Sequence, residues 1–332
     1  MDADGTVTVA SAGHSRVRPL IGLAARRAVE AVPLLLLVSA IAFGLLQLVP
    51  GGPLEVYLSN PGVRPEDLDR LRRALGLDRS LGEQYVSWLA AFVRGDWGFS
   101  FSDGRPVLDR ILERLPASIE LLAASLVLAL SAAIPAGIVA AVKRRSFVDR
   151  SISTLAAAGV SIPTFWLGLM LQLTFAIGLG WLPSSGRGAD STGFARLQYL
   201  VMPAAVLAFG HAAAWSRYLR ASLIEVLGAP FIAAARARGV GARARLTRHA
   251  LPNALAPMAA VALLDAALLV PGAVVTESVF AWPGVGSLFT EALGRRDYTV
   301  LMAMLMVSSV AVVVFNLIAD LIHAWIDPRV TS

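Results

Sequence analysis

Six apolar stretches, each close to the length that crosses a lipid bilayer, constrain the fold of this chain more than any other feature. A span needs about 20 mostly apolar residues, and the six stretches cover residues 28–49, 117–142, 151–179, 200–215, 253–276 and 300–324. In hydrocarbon the backbone N–H and C=O groups can pair only within the segment, which makes each stretch a helix. The sequence therefore predicts an all-α membrane protein with six transmembrane helices. The fourth stretch is short, and we expect its helix to continue beyond the membrane to residue 223.

The composition supports the membrane class and excludes several others. Hydrophobic residues make up 56% of the 332 residues and charged residues 16%, whereas a soluble domain has about half and about a quarter. Basic residues exceed acidic ones by six, and all but Lys143 are arginine. No basic helix interleaves aromatic residues that could stack on bases, so we expect no nucleic-acid partner. No cysteine is present and the four histidines lie far apart, so the sequence predicts no disulfide and no metal site.

The distribution of arginine predicts the orientation. Arginines concentrate before the first stretch, after the second and after the fourth. Because short cytoplasmic loops carry the basic surplus of a membrane protein, the tails 1–27 and 327–332 are both expected in the cytoplasm. The connection 50–116 then faces outward, and a loop of this length crosses the membrane largely regardless of its charge.

The outward connection 50–116 has the pattern of a small helical cap. Apolar residues recur at helical spacing after residue 65, again over 80–93, and a third time over 106–115. The first pattern has acidic residues in its first turn and Gly76 past its end, as helices often do. We expect a small extracytoplasmic helical segment here; a solvated linker is the alternative. The remaining five helices, 117–326, form the membrane core.

Motifs that would supply energy or catalysis are missing from the sequence. A phosphate-binding P-loop needs GxxxxGK[ST], but the only lysine, Lys143, lies in the run AAVKRR. No GxSxG nucleophile elbow and no pair of histidines occurs. We therefore predict that the chain is not an enzyme and binds no cofactor, and that another chain drives any uphill transport. A self-sufficient secondary transporter or channel is the alternative from another class, and a membrane-embedded enzyme fits less well.

The polar loop 217–252 contains the most informative part of the chain, residues 225–252. It is rich in arginine and lies between two strongly apolar stretches. Pro230 can begin a short helix within it, and Gly239 can end that helix in a left-handed conformation. Phe231 would offer an apolar anchor to a partner. A helix held in the cytoplasm between two spans can be gripped by another protein, and its movement would pass into both spans.

The same loop carries a family resemblance. Ala233-Ala234-Ala235, then Gly239, then His249, Leu251 and Pro252 stand in the frame of the coupling loop of bacterial ABC importer permeases. Alanine replaces the usual glutamate at 233, and histidine replaces isoleucine at 249. The runs 235–239 (ARARG) and 248–253 (RHALPN) resemble more closely the branch that carries dipeptides, oligopeptides or nickel.

Motifs elsewhere extend the resemblance to the B-type permease of that branch over about residues 26–329. They include runs at 48–53, 75–78, 94–98, 114–117, 161–168, 180–183, 277–286, 296–298 and 327–329. Their order and spacing together are specific, although no single run is decisive. The resemblance implies the fold of a type I ABC importer permease in the bacterial plasma membrane.

The family resemblance also implies partners and a role for the loop. A homologous second permease, two cytoplasmic ATPase subunits that use ATP and Mg²⁺, an external substrate-binding protein and a peptide substrate are expected, with nickel, heme or another small solute as alternatives. Membrane lipid surrounds the spans. The residues expected to couple the chain to the ATPase are Glu225, Phe231, Ala234, Ala235, Arg236, Arg238, Gly239, His249 and Pro252.

Five residues in or near the spans are candidates for the pathway or its gate. A charge at Asp265, near the middle of the fifth stretch, is costly unless it faces a partner or a water-filled path; a structural pair with another helix is the reading we favour. Glu277 and Trp282 lie in a run that either bends back to narrow the outer mouth or forms an interfacial turn anchored by Trp282. Gln172 and Asn316 are typical of hydrogen bonds between helices.

Overall fold

The computed structural model describes residues 14–48, 70, 73, 76–188 and 193–326. These residues form helices joined by short loops, with one isolated β-bridge between Phe99 and Pro106. Numbered in chain order, the main helices are α1 (His14–Gln47), α2 (Leu81–Val93), α3 (Val107–Val142), α4 (Phe147–Ser161), α5 (Thr164–Leu171), α6 (Phe194–Leu227), α7 (Pro230–Ala237), α8 (Leu251–Val279), α9 (Val285–Gly294) and α10 (Tyr298–Ile326). Two π-helical segments, Gln172–Gly178 and Arg245–Ala250, follow α5 and precede α8.

Four helices of the described chain are long and apolar enough to cross a membrane, and the bent pair at 147–178 makes five if it counts as one span. The expected third span, 151–179, is therefore not one straight helix. It breaks before Pro163 and turns by 105° between its halves. Ile162 has an extended conformation, φ −80° and ψ 124°, because the proline ring disfavours the helical conformation in the residue before it.

The N-terminal boundary of α3 also differs from the expectation. The third pattern of the cap, 106–115, is not a separate helix at the membrane surface; it is the first part of the 36-residue helix α3. Pro116 removes only one intrahelical donor. Val107 and Ile111 are buried against α9 and α10, and this packing favours the helix on the N-terminal side of the proline.

Helix α6 extends well past its apolar part, as the sequence predicts. It runs without interruption from Phe194 to Leu227 and packs along α3. Close approach of the two helices requires glycine at 137, since a Cβ there would lie 2.9 Å from the Cβ of Leu219 and from the carbonyl oxygen of Ser216. Gly159 of α4 is similarly close to Ala213. Helices α3, α4 and α6 therefore form one tightly packed group.

The two ends of the bundle differ in character. At one end, which we call the arginine-rich end, lie α7, the turn from α3 to α4, and the pair Arg27–Asp320 (Nε–Oδ2 2.8 Å) that joins α1 to α10. At the other end, which we call the cap end, lie α2, α9 and the loop 94–106. Helix α2 matches the expected second cap helix and begins with a capping box formed by Ser80 and Glu83. The first cap helix, expected after residue 65, lies largely outside the described residues.

The cap end is fastened to the start of α10 by a buried cluster of polar side chains. The hydroxyl of Ser100 donates to Asp297 Oδ2 at 2.5 Å, and Arg110 Nη1 donates to Ser100 Oγ at 2.9 Å. Asp297 is fully buried and also accepts from the backbone N–H of Val300, at the first turn of α10. Loop 94–106, α3 and α10 are thereby held together.

Candidate functional site

The short helix α7 at the arginine-rich end has the bounds that the sequence predicts. Pro230 is its first residue. At its end Gly239 has φ +82°, the N–H of Gly239 donates to the carbonyl of Arg236 at 3.0 Å, and the N–H of Val240 donates to that of Ala235 at 3.1 Å. These two bonds form a Schellman motif, which satisfies the last carbonyl groups of the helix.

Helix α7 has a buried face and an exposed face. Ile232 and Ala235 are 6% and 2% exposed and pack against the bundle, where Ile232 joins the core cluster that includes Leu223 of α6 and Ala250. The side chains expected to face the ATPase are otherwise open to solvent, namely Phe231, Ala234, Arg236 and Arg238. Ala235 is the exception: its methyl group seats the helix on its own bundle and is not available to a partner.

The remaining residues of the expected coupling loop lie on either side of α7. Glu225 is exposed near the end of α6, and Pro252 is exposed at the second position of α8. His249 is half-buried in the π-helical segment, and its carbonyl accepts from Asn253 Nδ2 at 2.6 Å. The guanidinium of Arg245 donates to the carbonyl of Val240 at 2.9 Å. Because the chain from 242 to 279 is continuously helical, α7 is tied both to α6 and to α8.

At the cap end, Glu277 is the centre of a buried hydrogen-bond cluster. Its side chain is fully buried; Oε1 accepts from the hydroxyl of Ser118 at 2.6 Å, and Oε2 accepts from the backbone N–H of Ser287 at 3.0 Å. The N–H of Val285 in turn donates to Ser118 Oγ at 2.8 Å. A Cβ on Gly284 would overlap the carboxyl group of Glu277. The cluster thus fixes the turn between α8 and α9 against α3.

Trp282 is a core residue of the same turn. It is fully buried, and its Nε1 donates to the carbonyl of Ala117 in α3 at 2.9 Å. An interfacial anchor would expose its ring to lipid, so that interpretation of Trp282 is wrong. Gln172 is next to this turn, because its Nε2 donates to the carbonyl oxygens of Val279 and Ser184 at 3.0 and 2.8 Å.

A charged group covers the turn from the solvent side. Both Arg187 and Arg196 bind the carboxylate Oε2 of Glu120, with Arg196 Nη2 at 2.7 Å. The guanidinium of Arg187 also lies 5.9 Å from the centre of the Trp282 ring, within the range of a cation–π contact. The turn that follows α8 is therefore held by the hydrogen bonds of Glu277 and by the contact between Arg187 and Trp282.

Asp265 is half-buried and has the structural partner that a charge within a span requires. Its Oδ2 accepts from Nε1 of Trp215 in α6 at 3.0 Å, and Trp215 is fully buried. Asp265 therefore joins α8 to α6 instead of standing alone in the span. Asn316 is exposed on α10, away from this pair. Of the five pathway candidates the structure groups Gln172, Glu277 and Trp282 together and leaves Asp265 and Asn316 apart.

Replacing Asp265 by asparagine tests the role of its charge. Asn keeps an oxygen acceptor for the Trp215 N–H, so we expect Asp265→Asn to assemble normally and to transport within about twofold of the parent protein, because a net hydrogen bond is worth about 1 kcal/mol and is retained. Asp265→Leu leaves the indole N–H unpaired, and we expect a lower yield of assembled protein. Peptide uptake measures transport by each variant, and size-exclusion profiles measure its assembly. A large loss of uptake in a well-assembled Asp265→Asn protein would instead show that the charge lines the path.

Sequence reasoning missed four residues that organise these sites. Ser118 pairs with Glu277 across 159 positions, and Arg220 of α6 pairs with Asp149 of α4 across 71 positions. No local pattern signals either pair. Ile232 could have been found, because it shares a helical face with Ala235 at a spacing of three residues.

Two family descriptions cover most of the chain. Residues 133–332 match the binding-protein-dependent transport system inner membrane component, and residues 20–122 match the N-terminal part of the same kind of membrane component. The first match alone covers more than half of the 332 residues.

Three relatives are similar to this chain over nearly their whole length. The oligopeptide transport system permease protein AppB of Bacillus subtilis is 37% identical over 92% of this chain and 98% of its own. A putative peptide permease protein of Brucella suis is 39% identical over 90% and 95%. The glutathione transport system permease protein GsiC of Escherichia coli K12 is 34% identical over 92% and 97%.

A solved structure shares the fold. The inward-facing methionine ABC transporter MetNI is similar to this chain with a TM-score of 0.55 and 21% identity, covering 69% of this chain and 99% of the solved one. With the relatives, this fold rules against the alternatives of a self-sufficient transporter or channel and of a membrane-embedded enzyme. The chain therefore belongs to the family of binding-protein-dependent transport system inner membrane components, and it is a multi-pass B-type permease subunit of an ABC importer in the dipeptide and oligopeptide branch.

Proposed function

We propose that this permease carries dipeptides or oligopeptides through the membrane by alternating access, as half of a pathway completed by a homologous second permease. The substrates named for its relatives, which are oligopeptides, peptides and glutathione, support a peptide over nickel or heme. A binding protein outside the membrane delivers the peptide. Two ATPase subunits on the other side bind ATP and Mg²⁺, and this chain itself holds no cofactor.

The orientation of the chain follows from the same proposal. The arginine-rich end faces the cytoplasm, where the positive-inside rule places it, and both termini lie on that side. Six passages then connect the two ends, with the bent pair 147–178 and α8 each counted as one. The cap end, with α2 and the loop 94–106, faces outward and receives the binding protein.

The exposed face of α7 is the observation that carries the proposed coupling to an ATPase. Phe231 is a large apolar side chain that is 45% exposed at the start of the helix, and two arginines stand near its end. An apolar anchor beside guanidinium groups suits docking into a groove on another protein, because arginine makes strong charge-assisted hydrogen bonds with carboxylates. Helix α7 is also fixed at both ends to the spans, so a partner that moves α7 moves α6 and α8.

Cysteine cross-linking tests this docking, and the chain contains no cysteine of its own. In the assembled transporter we expect Ala234→Cys to form a cross-link to an ATPase subunit through a short bifunctional reagent. Ala235→Cys is the matched control, since the neighbouring position is 2% exposed and faces the bundle. The proposal predicts a cross-link at 234 and none at 235. Equal cross-linking to the ATPase at both positions, or a cross-link to the external binding protein, contradicts the proposal.

A further inference from the structure

An ion pair between the half-buried Arg220 and the buried Asp149 links α6 to α4. Arg220 Nε and Nη2 bind Asp149 Oδ1 and Oδ2 at 2.5 and 2.8 Å, a two-point geometry that fixes direction as well as distance. The side chain of Asp149 is only 5% exposed. Arg220 lies seven residues before the end of α6, about two helical turns above the connection to α7. The pair therefore sits where a displacement of α7 first enters the bundle.

Asp149 is itself held rigidly by the turn from α3 to α4. Its Oδ2 accepts from the backbone N–H of Arg145 at 2.9 Å, and its backbone N–H donates to the hydroxyl of Ser146, which caps α4. Arg145 has φ +66°, a conformation that non-glycine residues seldom adopt. The carboxylate consequently joins three elements: the end of α3, the start of α4 and the cytoplasmic extension of α6.

The helices joined by this pair are also packed too closely to slide. Backbone approaches at Gly137 and Gly159 bring α3 and α4 against α6, with no room for an added Cβ to be accommodated freely. Buried alanines of α3 and the side chains of Trp215 and Leu219 fill the rest of the contact. Helix α8 also contributes to this cluster, whereas helix α1 has no part in it and packs against α10, to which Arg27 ties it.

We propose that the Asp149–Arg220 pair makes α3, α4 and α6 one moving body. A displacement of α7 then rotates these three helices together relative to α1 and α10. Close-packed groups move as units, because their interfaces do not deform continuously. This inference rests on the proposed coupling of α7 to an ATPase. Asp149 and Arg220 are then positioning residues: they touch neither peptide nor nucleotide.

Uptake per ATP hydrolysed, measured with the complete transporter in proteoliposomes, tests the pair. We expect Asp149→Asn and Arg220→Gln each to lower this ratio at least fivefold while ATP hydrolysis continues, and Arg220→Lys to lower it about twofold because the charge is kept. The double variant Asp149→Asn/Arg220→Gln should be no worse than either single one, as expected for residues that act together. Arg150→Gln, an exposed neighbour on α4, is the matched control and should leave the ratio unchanged.

The proposal is overturned by a ratio within twofold of the parent protein for Arg220→Gln, or by losses that multiply in the double variant. If Arg220→Gln gives little assembled complex, Arg220→Lys decides in its place, and an unchanged ratio there also overturns the proposal. Gly239→Val in the same preparation distinguishes a failure of the three-helix body from a failure of the proposed docking of α7. If Gly239→Val uncouples and the Arg220 variants do not, only the three-helix body is wrong; if Gly239→Val leaves coupling intact, the docking of α7 is wrong.

Spin labels give a second test that does not depend on transport. In this cysteine-free chain, labels on Arg150→Cys of α4 and Tyr218→Cys of α6, both exposed positions, should keep one distance with and without ATP. We expect Arg220→Gln to make that distance change on ATP binding. A label-to-label distance that changes on ATP binding in the parent chain would contradict the movement of α4 and α6 as one body.

Discussion

Gly239→Val is expected to uncouple the transporter while leaving the chain inserted and assembled. A valine cannot adopt φ +82° without strain, since β-branched residues are genuine outliers in that region. Nothing lies within 4 Å of an added Cβ, so the whole effect comes from the backbone. A strained conformation of this kind costs about 1–3 kcal/mol, which corresponds to a roughly 5- to 150-fold fall in the population of the docking geometry.

The measurement is peptide uptake and ATP hydrolysis by the same proteoliposomes. We expect uptake to fall by at least about fivefold, with loss of the Schellman bonds at Gly239 N and Val240 N and fraying of the last turn of α7. Gly241→Val is the control: Gly241 is equally exposed but has φ −61° and ψ 153°, a conformation that valine adopts readily. Equal uptake by both variants would mean that the end of α7 has no part in coupling.

Glu277→Ala is expected to loosen the cap end of the bundle. The change removes the acceptor for the buried hydroxyl of Ser118 and for the partly buried N–H of Ser287. Each donor left buried without a partner costs about 1–3 kcal/mol, and the cavity left by the side chain adds to this. The turn that carries Trp282 then loses its attachment to α3 on one side.

The thermal midpoint of the purified transporter, followed by size exclusion after heating, measures the loss. We expect a clear drop for Glu277→Ala, and a smaller one for Glu277→Gln, whose amide retains one acceptor oxygen. Ser131→Ala serves as the control, because Ser131 is exposed on α3 and its hydroxyl donates to a carbonyl of its own helix, that of Leu128. A midpoint for Glu277→Ala equal to that of the control would show that the buried cluster contributes nothing to holding this turn.

Features that depend on a few neighbouring residues were predictable from the sequence. Helix α7 begins at Pro230 and ends at Gly239 because each residue favours its own backbone conformation at that position. The continuation of α6 beyond its apolar part was predictable as well, since no proline or glycine interrupts residues 216–227. The capping box at Ser80 is a local signal of the same kind.

Features that depend on contacts between distant residues were not predictable. Proline is tolerated in membrane helices when neighbouring helices compensate, so the sequence alone does not distinguish a kink at Pro163 from the observed break. Tryptophan is common at membrane surfaces, and only the contact with Ala117 shows Trp282 to be buried. The pairs Glu277–Ser118 and Arg220–Asp149 follow from how the helices pack, and no periodicity in either helix encodes them.

The most direct test of the account compares this chain alone with the complete transporter, using a labelled oligopeptide, ATP inside the proteoliposomes and the binding protein outside. The account predicts accumulation only when the second permease, both ATPase subunits and the binding protein are present, and loss of that accumulation with Gly239→Val. Accumulation of the peptide by the single chain, with or without an ion gradient, would contradict it.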